Sequence, residues 1–258
     1  VMGDMFRNPL SDDQAIRKRV ENISFFTSHT IDFPFTGEMF DALEFYLNNV
    51  DRRTQLSKDQ NNVSQKLRNI LRGDVEFAWI HNGIIASLNL LNHLDAFLGE
   101  LRKNHYPDAD NRCEELAKLL VFEEWKWYKE YKGKKKVTQD QAIELDRAFR
   151  FQFRDKLLRI LEHIFFIDVY MSVASVAVER KYVFPEACPA GDICLKLKGV
   201  YHPLLDKPVG NDLEMDKETN VIFLTGANMA GKSTMMKTLS IALFLAHMAI
   251  ARLAERNE

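Results

Sequence analysis

The chain has 258 residues, 46% hydrophobic and 28% charged, with a formal net charge of −2. That length suits one large domain or two smaller ones, the apolar fraction can fill a core, and the near-neutral charge argues against a general nucleic-acid binder, though not against one local DNA-contacting patch. No unbroken apolar stretch of about 18 residues and no basic start followed by an apolar run is found, so neither a membrane span nor a secretory signal is expected.

The first helix signal is Pro9-Leu10-Ser11-Asp12-Asp13-Gln14. Ser11 can cap, Gln14 holds the capping-box position, and Asp12 and Asp13 favour the first turn. Ile16, Val20 and Ile23 mark the apolar stripe that follows. Thr36-Gly37-Glu38 starts a second helix carrying Phe40, Leu43 and Leu47, and the polar residues 51–62 read as a loop. Residues 63–102 predict one long helix or two joined at Gly73. They are apolar nearly all round (Phe77, Ile80, Ile84, Ile85, Leu88, Leu91, Leu94, Leu98), as in a helix buried among others. Residues 108–131 are helical and aromatic-rich (Phe122, Trp125, Trp127, Tyr128, Tyr131) and end at the basic turn Lys132-Gly133-Lys134-Lys135-Lys136. A capping box at Thr138-Gln139-Asp140-Gln141 then opens a stretch without Pro or Gly until Pro185. One helix from Thr138 to Tyr182 is predicted, about 65 Å long. Its first half carries Arg147, Arg150, Arg154, Lys156 and Arg159, and its second half, 164–178, is apolar and expected to be buried.

Pro185, Pro189 and Gly191 mark a domain boundary, dividing a helical part, 1–184, from a strand-and-loop part, 185–258. Ile193, Leu195 and Leu197 alternate with polar residues as in a half-buried strand. The acidic run 212–218 reads as a loop rather than a metal site. Residues 220–225 (Asn-Val-Ile-Phe-Leu-Thr) predict a short buried strand, and 235–248 are apolar at helical spacing. Between them Gly226-Ala227-Asn228-Met229-Ala230-Gly231-Lys232-Ser233-Thr234 fits the phosphate-loop (Walker A) pattern G-x-x-x-x-G-K-[ST] without a gap. Two glycines let the backbone curl so that successive N–H groups converge on an anion. Lys232 adds charge for the β- and γ-phosphates, the Ser233 hydroxyl can ligate Mg²⁺, and the helix that starts here aims its positive end at the phosphates. Strand, glycine loop and helix in this order point to a nucleoside triphosphate. Cys113, Cys188 and Cys194 form no C-x-x-C pair and the seven histidines show no metal-binding spacing, so neither a disulfide framework nor a zinc site is indicated. A reducing, cytoplasmic setting is expected.

Four segments, taken in order, resemble the MutS family of DNA mismatch-repair ATPases. Phe6-Arg7-Asn8-Pro9-Leu10-Ser11-Asp12 with Ile16, Arg19 and Val20 is similar to the start of the family's helical core. Ile167-Asp168-Val169-Tyr170-Met171-Ser172-Val173-Ala174 with Tyr182 and Pro185 is similar to the end of its lever helix. Tyr201-His202-Pro203-Leu204 and Asn211-Asp212-Leu213 resemble the beginning of its ATPase domain, and 225–234 its phosphate loop, Asn228-Met229 being the family-specific part. The resemblance implies a mainly α fold: a helical core with long lever helices, then the first strands, phosphate loop and helix of an α/β ATPase domain. It also implies ATP and Mg²⁺ held by residues 226–234, with Ser233 on the metal and Val209 and Asn211 in the adenine-contacting strand. Double-stranded DNA, mismatched or branched, is the implied partner, clamped by a helical arm, and the full-length protein is implied to be a homodimer coupling ATP binding to clamp movement. Ala227 and Ala230 stand where the family usually has Pro and Gly. The Walker B pair, the signature loop and the histidine switch would lie beyond Glu258, so no catalytic residue is assigned and this chain alone is expected not to hydrolyse ATP.

Two readings of the basic residues stay open. Lys132, Lys134, Lys135 and Lys136, with the arginines of the next helix, are either a DNA-facing clamp or a solvated helix face. Trp125, Trp127 and Tyr128 either stack on bases or pack between arms. The alternative to a MutS-type DNA-binding ATPase is a non-catalytic helical scaffold or dimerisation module with a vestigial nucleotide loop.

Overall fold

The structure, a computed structural model, describes residues 1–56, 63–121, 123–189 and 194–249. The sequence expectations for 57–62, Phe122, Gly191, Ile193 and the tail from 250 lie outside the described residues, as do the side chains of Phe77 and Trp125. Among the described residues the chain is mainly helical with one two-stranded sheet.

Helices begin where a side chain can hold the first free N–H groups. After a short α1 (Met2–Arg7), α2 (Asp13–Ser28) is capped by Asp12, whose carboxylate accepts from the Ala15 N–H at 2.8 Å. The cap is therefore one residue later than Ser11. Thr36 caps α3 (Gly37–Asn48) by accepting from the Met39 N–H. A 3₁₀ turn (Arg52–Thr54) follows, and then α4 runs unbroken from Val63 to Lys103. Gly73 does not break it: an interior glycine costs about 1 kcal/mol relative to alanine, which 41 residues of hydrogen-bonded helix absorb. α5 (Arg112–Leu120) leads to a 3₁₀ segment (Glu123–Tyr131), and the capping box of Thr138 and Gln141 opens α6 (Gln139–Asp146) with both reciprocal bonds made.

The single helix expected from Thr138 to Tyr182 is divided. A π-helical segment, Arg147–Gln152, follows α6, and Phe153, at φ −117° and ψ 13°, separates it from α7 (Arg154–Glu179). The cause is in the side chains: Arg150 turns into the core to meet Asp146 instead of facing solvent. The apolar second half is buried on one side, at Ile164, Ile167, Val169, Tyr170, Val173, Ala174 and Ala177, while Ser172, Ser175, Val176 and Val178 are exposed. α7 is also long and apolar enough to cross a membrane, contrary to the reading that no such stretch exists. Glu162 and Asp168 break the run and hide it from a search for uninterrupted apolar sequence. Half of the window is buried inside the protein, as in a core helix.

β1 (Leu195–Val200) and β2 (Asn211–Met215) pair antiparallel, Leu197 opposite Leu213, with a bulge between Leu197 and Val200. The acidic run is thus partly strand, and only 216–219 is a turn, closed on the Asp216 carboxylate by the N–H groups of Glu218 and Thr219. Residues 220–225 form no strand, and their apolar side chains are exposed, Val221 at 65% and Phe223 at 88%. A strand needs a neighbour for its N–H and C=O groups, and none of the described residues supplies one. Cys188 and Cys194 are joined as a disulfide, a pairing that scattered spacing did not suggest, and Cys113 is buried and lies outside that disulfide.

Contacts divide the chain into two units: 1–30 with 106–111 and 165–258, and 31–105 with 112–164. In the first, Met5, Ile23, Val169, Tyr170, Val173, Ala174 and Met248 form one buried cluster. The buried Asn22 amide donates to Asp110 at 2.7 Å and accepts from the Ala109 N–H, while the Tyr170 hydroxyl donates to the other Asp110 oxygen. In the second, α3 packs along α4 through Leu43, Tyr46, Leu47, Ile80, Ile84 and Leu88, all buried.

Candidate functional site

The glycine loop leads directly into α8 (Lys232–His247). Gly226 has φ +155° and Gly231, the N-cap of α8, has φ +83°, both conformations that suit glycine. The third positive φ belongs to Met229, at +66°, and not to Ala230. Glycine at 230 is therefore not required by the backbone seen here, and the cost falls on a Met whose side chain is fully exposed. The loop closes by an Ala230 N–H to Ala227 carbonyl bond of 3.2 Å.

Among the described residues no side chain caps α8. At α2, α3 and α6 an Asp or Thr oxygen takes one of the first N–H groups, whereas here Gly231 leaves them to the solvent side. Lys232 folds back over the loop and its ammonium donates to the carbonyls of Gly226 and Ala227, both at 2.6 Å. These bonds hold a positive charge beside the uncapped helix start. Ser233 and Thr234 are exposed on the first turn, as are residues 226–231.

Val209 and Asn211 sit on the hairpin and not on the loop. The Asn211 amide donates to the Val209 carbonyl at 3.0 Å, and both residues are exposed. What connects hairpin and loop is α8: its Ala242 and Leu239 pack with Leu197, Val200, Leu195 and Leu213 of the two strands. The structure brings 226–234 together as a turn and the first residues of α8, and places Asn211 on the sheet that carries the same helix, with Val209 just before the strand.

Lys132, Lys134, Lys135 and Lys136 all lie exposed on a turn whose Gly133 has φ +75°. Lys134 places its ammonium 4.6 Å from the Tyr131 ring centre. The arginines beyond do not form one face. Arg147 and Arg159 are exposed, Arg154 donates to the Leu47 carbonyl at 2.6 Å, and Arg150 is 1% exposed. Of the aromatic cluster, Tyr128 is buried and Trp127 packs on Phe149 with ring centres 5.6 Å apart, so these two are packing residues. The buried role of Arg150 is what the sequence reading missed, and the Asp146 four residues earlier was its one local signal.

The described residues thus form a mainly helical body, a β-hairpin and an uncapped glycine-loop helix. No protein-family profile matches the chain. It is 29% identical over 215 residues, 73% of its own length, to the DNA mismatch repair protein MutS of Caldicellulosiruptor bescii, of which it covers 24%. It is 38% identical over 99 residues, 36% of the chain, to the DNA mismatch repair protein MutS of Fusobacterium nucleatum, covering 11% of that protein. It is 40% identical over 79 residues, 31% of the chain, to the Endonuclease MutS2 of Streptococcus thermophilus, covering 10%. The chain is MutS-like, and it spans about a tenth to a quarter of the length of the curated relatives it matches.

Proposed function

We propose that this chain is the ATP-binding and DNA-binding part of a MutS-type protein, acting in mismatch repair or a related repair or recombination process in the cytoplasm. In this reading 1–184 is the helical core and lever, and 185–258 belongs to the ATPase domain. Residues 226–234 hold the phosphates of ATP, Ser233 ligates Mg²⁺, and Val209 and Asn211 lie along the adenine. The observation that carries the reading is the start of α8: an uncapped helix N-terminus opened by a left-handed Gly231, with the Lys232 ammonium held beside it. A helix start of this kind attracts phosphate through free N–H groups and the helix dipole, and Lys232 supplies the compensating charge. The bound Mg²⁺ would supply charge neutralisation between phosphate oxygens. Packing of α8 on β1 and β2 and, at its other end, Met248 in the helical cluster offers a route from nucleotide to helical body. The exposed Lys132, Lys134, Lys135 and Lys136 are assigned to DNA phosphates, and the parent protein is assigned a homodimeric, clamp-forming assembly.

The test is a nucleotide-induced stability shift. ATP with Mg²⁺ at 100 times Kd stabilises a one-site binder by about 2.7 kcal/mol, and Lys232→Ala should lose most of it. No shift in the unmodified chain would reject nucleotide binding and leave a helical scaffold. For DNA, duplex binding should fall steeply with salt, and replacing Lys134, Lys135 and Lys136 by Gln should flatten the slope by about one unit for each phosphate that is no longer neutralised. An unaltered slope in that variant would remove the turn from the DNA surface.

A further inference from the structure

A cavity of about 850 Å³ opens in the second unit between the 3₁₀ segment Glu123–Tyr131 and the α6, π-segment and α7 junction. Its walls combine aromatic rings with carboxylates. Trp127 and Tyr131 stand nearly perpendicular, ring centres 6.1 Å apart and planes at 85°, and Phe153 adds a third ring. Among the described residues lining it, the charged groups are Glu130 and Glu144, both exposed, and Gln152 adds an amide. The electron-rich faces of the rings attract cations, the carboxylates do the same, and together they disfavour phosphate and carboxylate ligands. Two of these rings already hold ammonium groups of the chain: Lys134 lies 4.6 Å from the centre of Tyr131 and Lys156 lies 5.2 Å from that of Phe153. Burial first, and then Glu130 and Glu144, push the Tyr131 hydroxyl pKa up, so the negative field of both carboxylates reaches that ring.

We propose that this cavity binds an aliphatic polyammonium ion, its methylenes lying along Trp127, Tyr131 and Phe153 and its ammonium groups meeting Glu130 and Glu144. Two carboxylates in one aromatic-lined cavity match a flexible chain carrying more than one positive charge better than a single ammonium. Lys134 and Lys156 already lie over Tyr131 and Phe153, so the ligand's ammonium groups are directed to Glu130 and Glu144 and not to those two ring faces.

The experiment titrates the full chain with spermidine at fixed ionic strength, by calorimetry and tryptophan fluorescence. Saturable binding is expected. It should weaken roughly tenfold or more in Glu130→Gln/Glu144→Gln, measured on protein whose circular dichroism matches that of the unmodified chain, and weaken again in Trp127→Leu. N-acetyl-lysine amide, carrying one ammonium, should bind far more weakly. A response to sodium chloride equal to that for spermidine would overturn the proposal. So would unaltered affinity in the double Gln variant, and equal affinity for the lysine amide would overturn it in favour of a protein side chain.

Discussion

Arg150 uses all five of its N–H groups. Nε and Nη2 form a bidentate pair with the Asp146 carboxylate at 2.5 and 2.6 Å. Nη1 donates to the Asn49 carbonyl at 2.8 Å and the Thr54 hydroxyl at 3.0 Å, and Nη2 also donates to the Thr54 carbonyl. Asp146 in turn accepts from the Tyr46 hydroxyl at 3.0 Å, and burial, then that carboxylate, push the tyrosine pKa well up. The pair is buried with its polar atoms satisfied, so removing one partner strands a charge. Arg150→Met or Asp146→Asn alone should cost about 3–5 kcal/mol in urea unfolding, while Asp146→Leu/Arg150→Met together should recover most of the loss. Helical spacing could not foretell this, because the partners at 46, 49 and 54 are about a hundred positions away; the sequence offered only the i, i+4 pairing. His163 makes a second such case. Burial, then the Arg112 guanidinium 3.5 Å away, hold its pKa below the ordinary 6.5. The unfolded chain then binds more protons just below pH 6.5, so the stability this group contributes is full above that value and is lost as pH falls through the lower folded pKa. His163→Gln should flatten the decline of unfolding free energy as pH falls below about 6.5, and an equal decline in the variant would assign the acid sensitivity elsewhere.

Helix boundaries were readable where the cause is local. Thr36 and the Thr138–Gln141 box cap their helices as the sequence suggests, because the bonds join residues three apart. The π segment was hidden for the opposite reason: it depends on a buried side chain, not on any breaker residue. Glycine shows the same contrast within α4. Gly73 has the look of a break and is continuous helix, whereas Gly83, unremarked in the sequence, is where the Tyr46 side chain of α3 presses on α4. A Cβ built there would lie 2.1 Å from Cγ of Tyr46 and 2.5 Å from its Cβ, and the Cβ is an atom that no rotamer change can withdraw. Helix propensity alone would make Gly83→Ala stabilising by about 1 kcal/mol. Overpacking against the residue that donates to Asp146 should outweigh it, for a net loss of about 1–3 kcal/mol with the helices forced apart. Chemical denaturation gives the sign: a stabilised variant would mean that the α3–α4 contact is looser than described.

Over the whole chain, the turn at 226–231 and the helix after it were legible in sequence, since the glycines at positive φ and the first residues of α8 are contiguous. The strand before it was misread, because 220–225 has strand composition without a paired neighbour among the described residues. What composition could not convey is how the two ends of the sequence meet in one unit. The Leu10 N–H donates to the His247 carbonyl at 2.9 Å, His247 Nδ1 donates to the Leu10 carbonyl at 2.7 Å, and Arg19 donates to the Met248 carbonyl at 3.2 Å. Phe6 stacks on Phe244, and Met248 is fully buried with Met5, Ile23 and Tyr170. Such contacts, all but that with Tyr170 over two hundred residues apart in sequence, form only when the entire unit is folded, so α8 should not open by itself. Met248→Ala removes the side chain common to α2, α7 and the end of α8, and a buried Met→Ala change costs about 2–5 kcal/mol. In a cooperative unit that loss is shared: amide protons of α2 and α8 should exchange faster by the same factor. Faster exchange confined to α8 would show instead that the glycine-loop helix is held to the N-terminal helices by surface contacts alone.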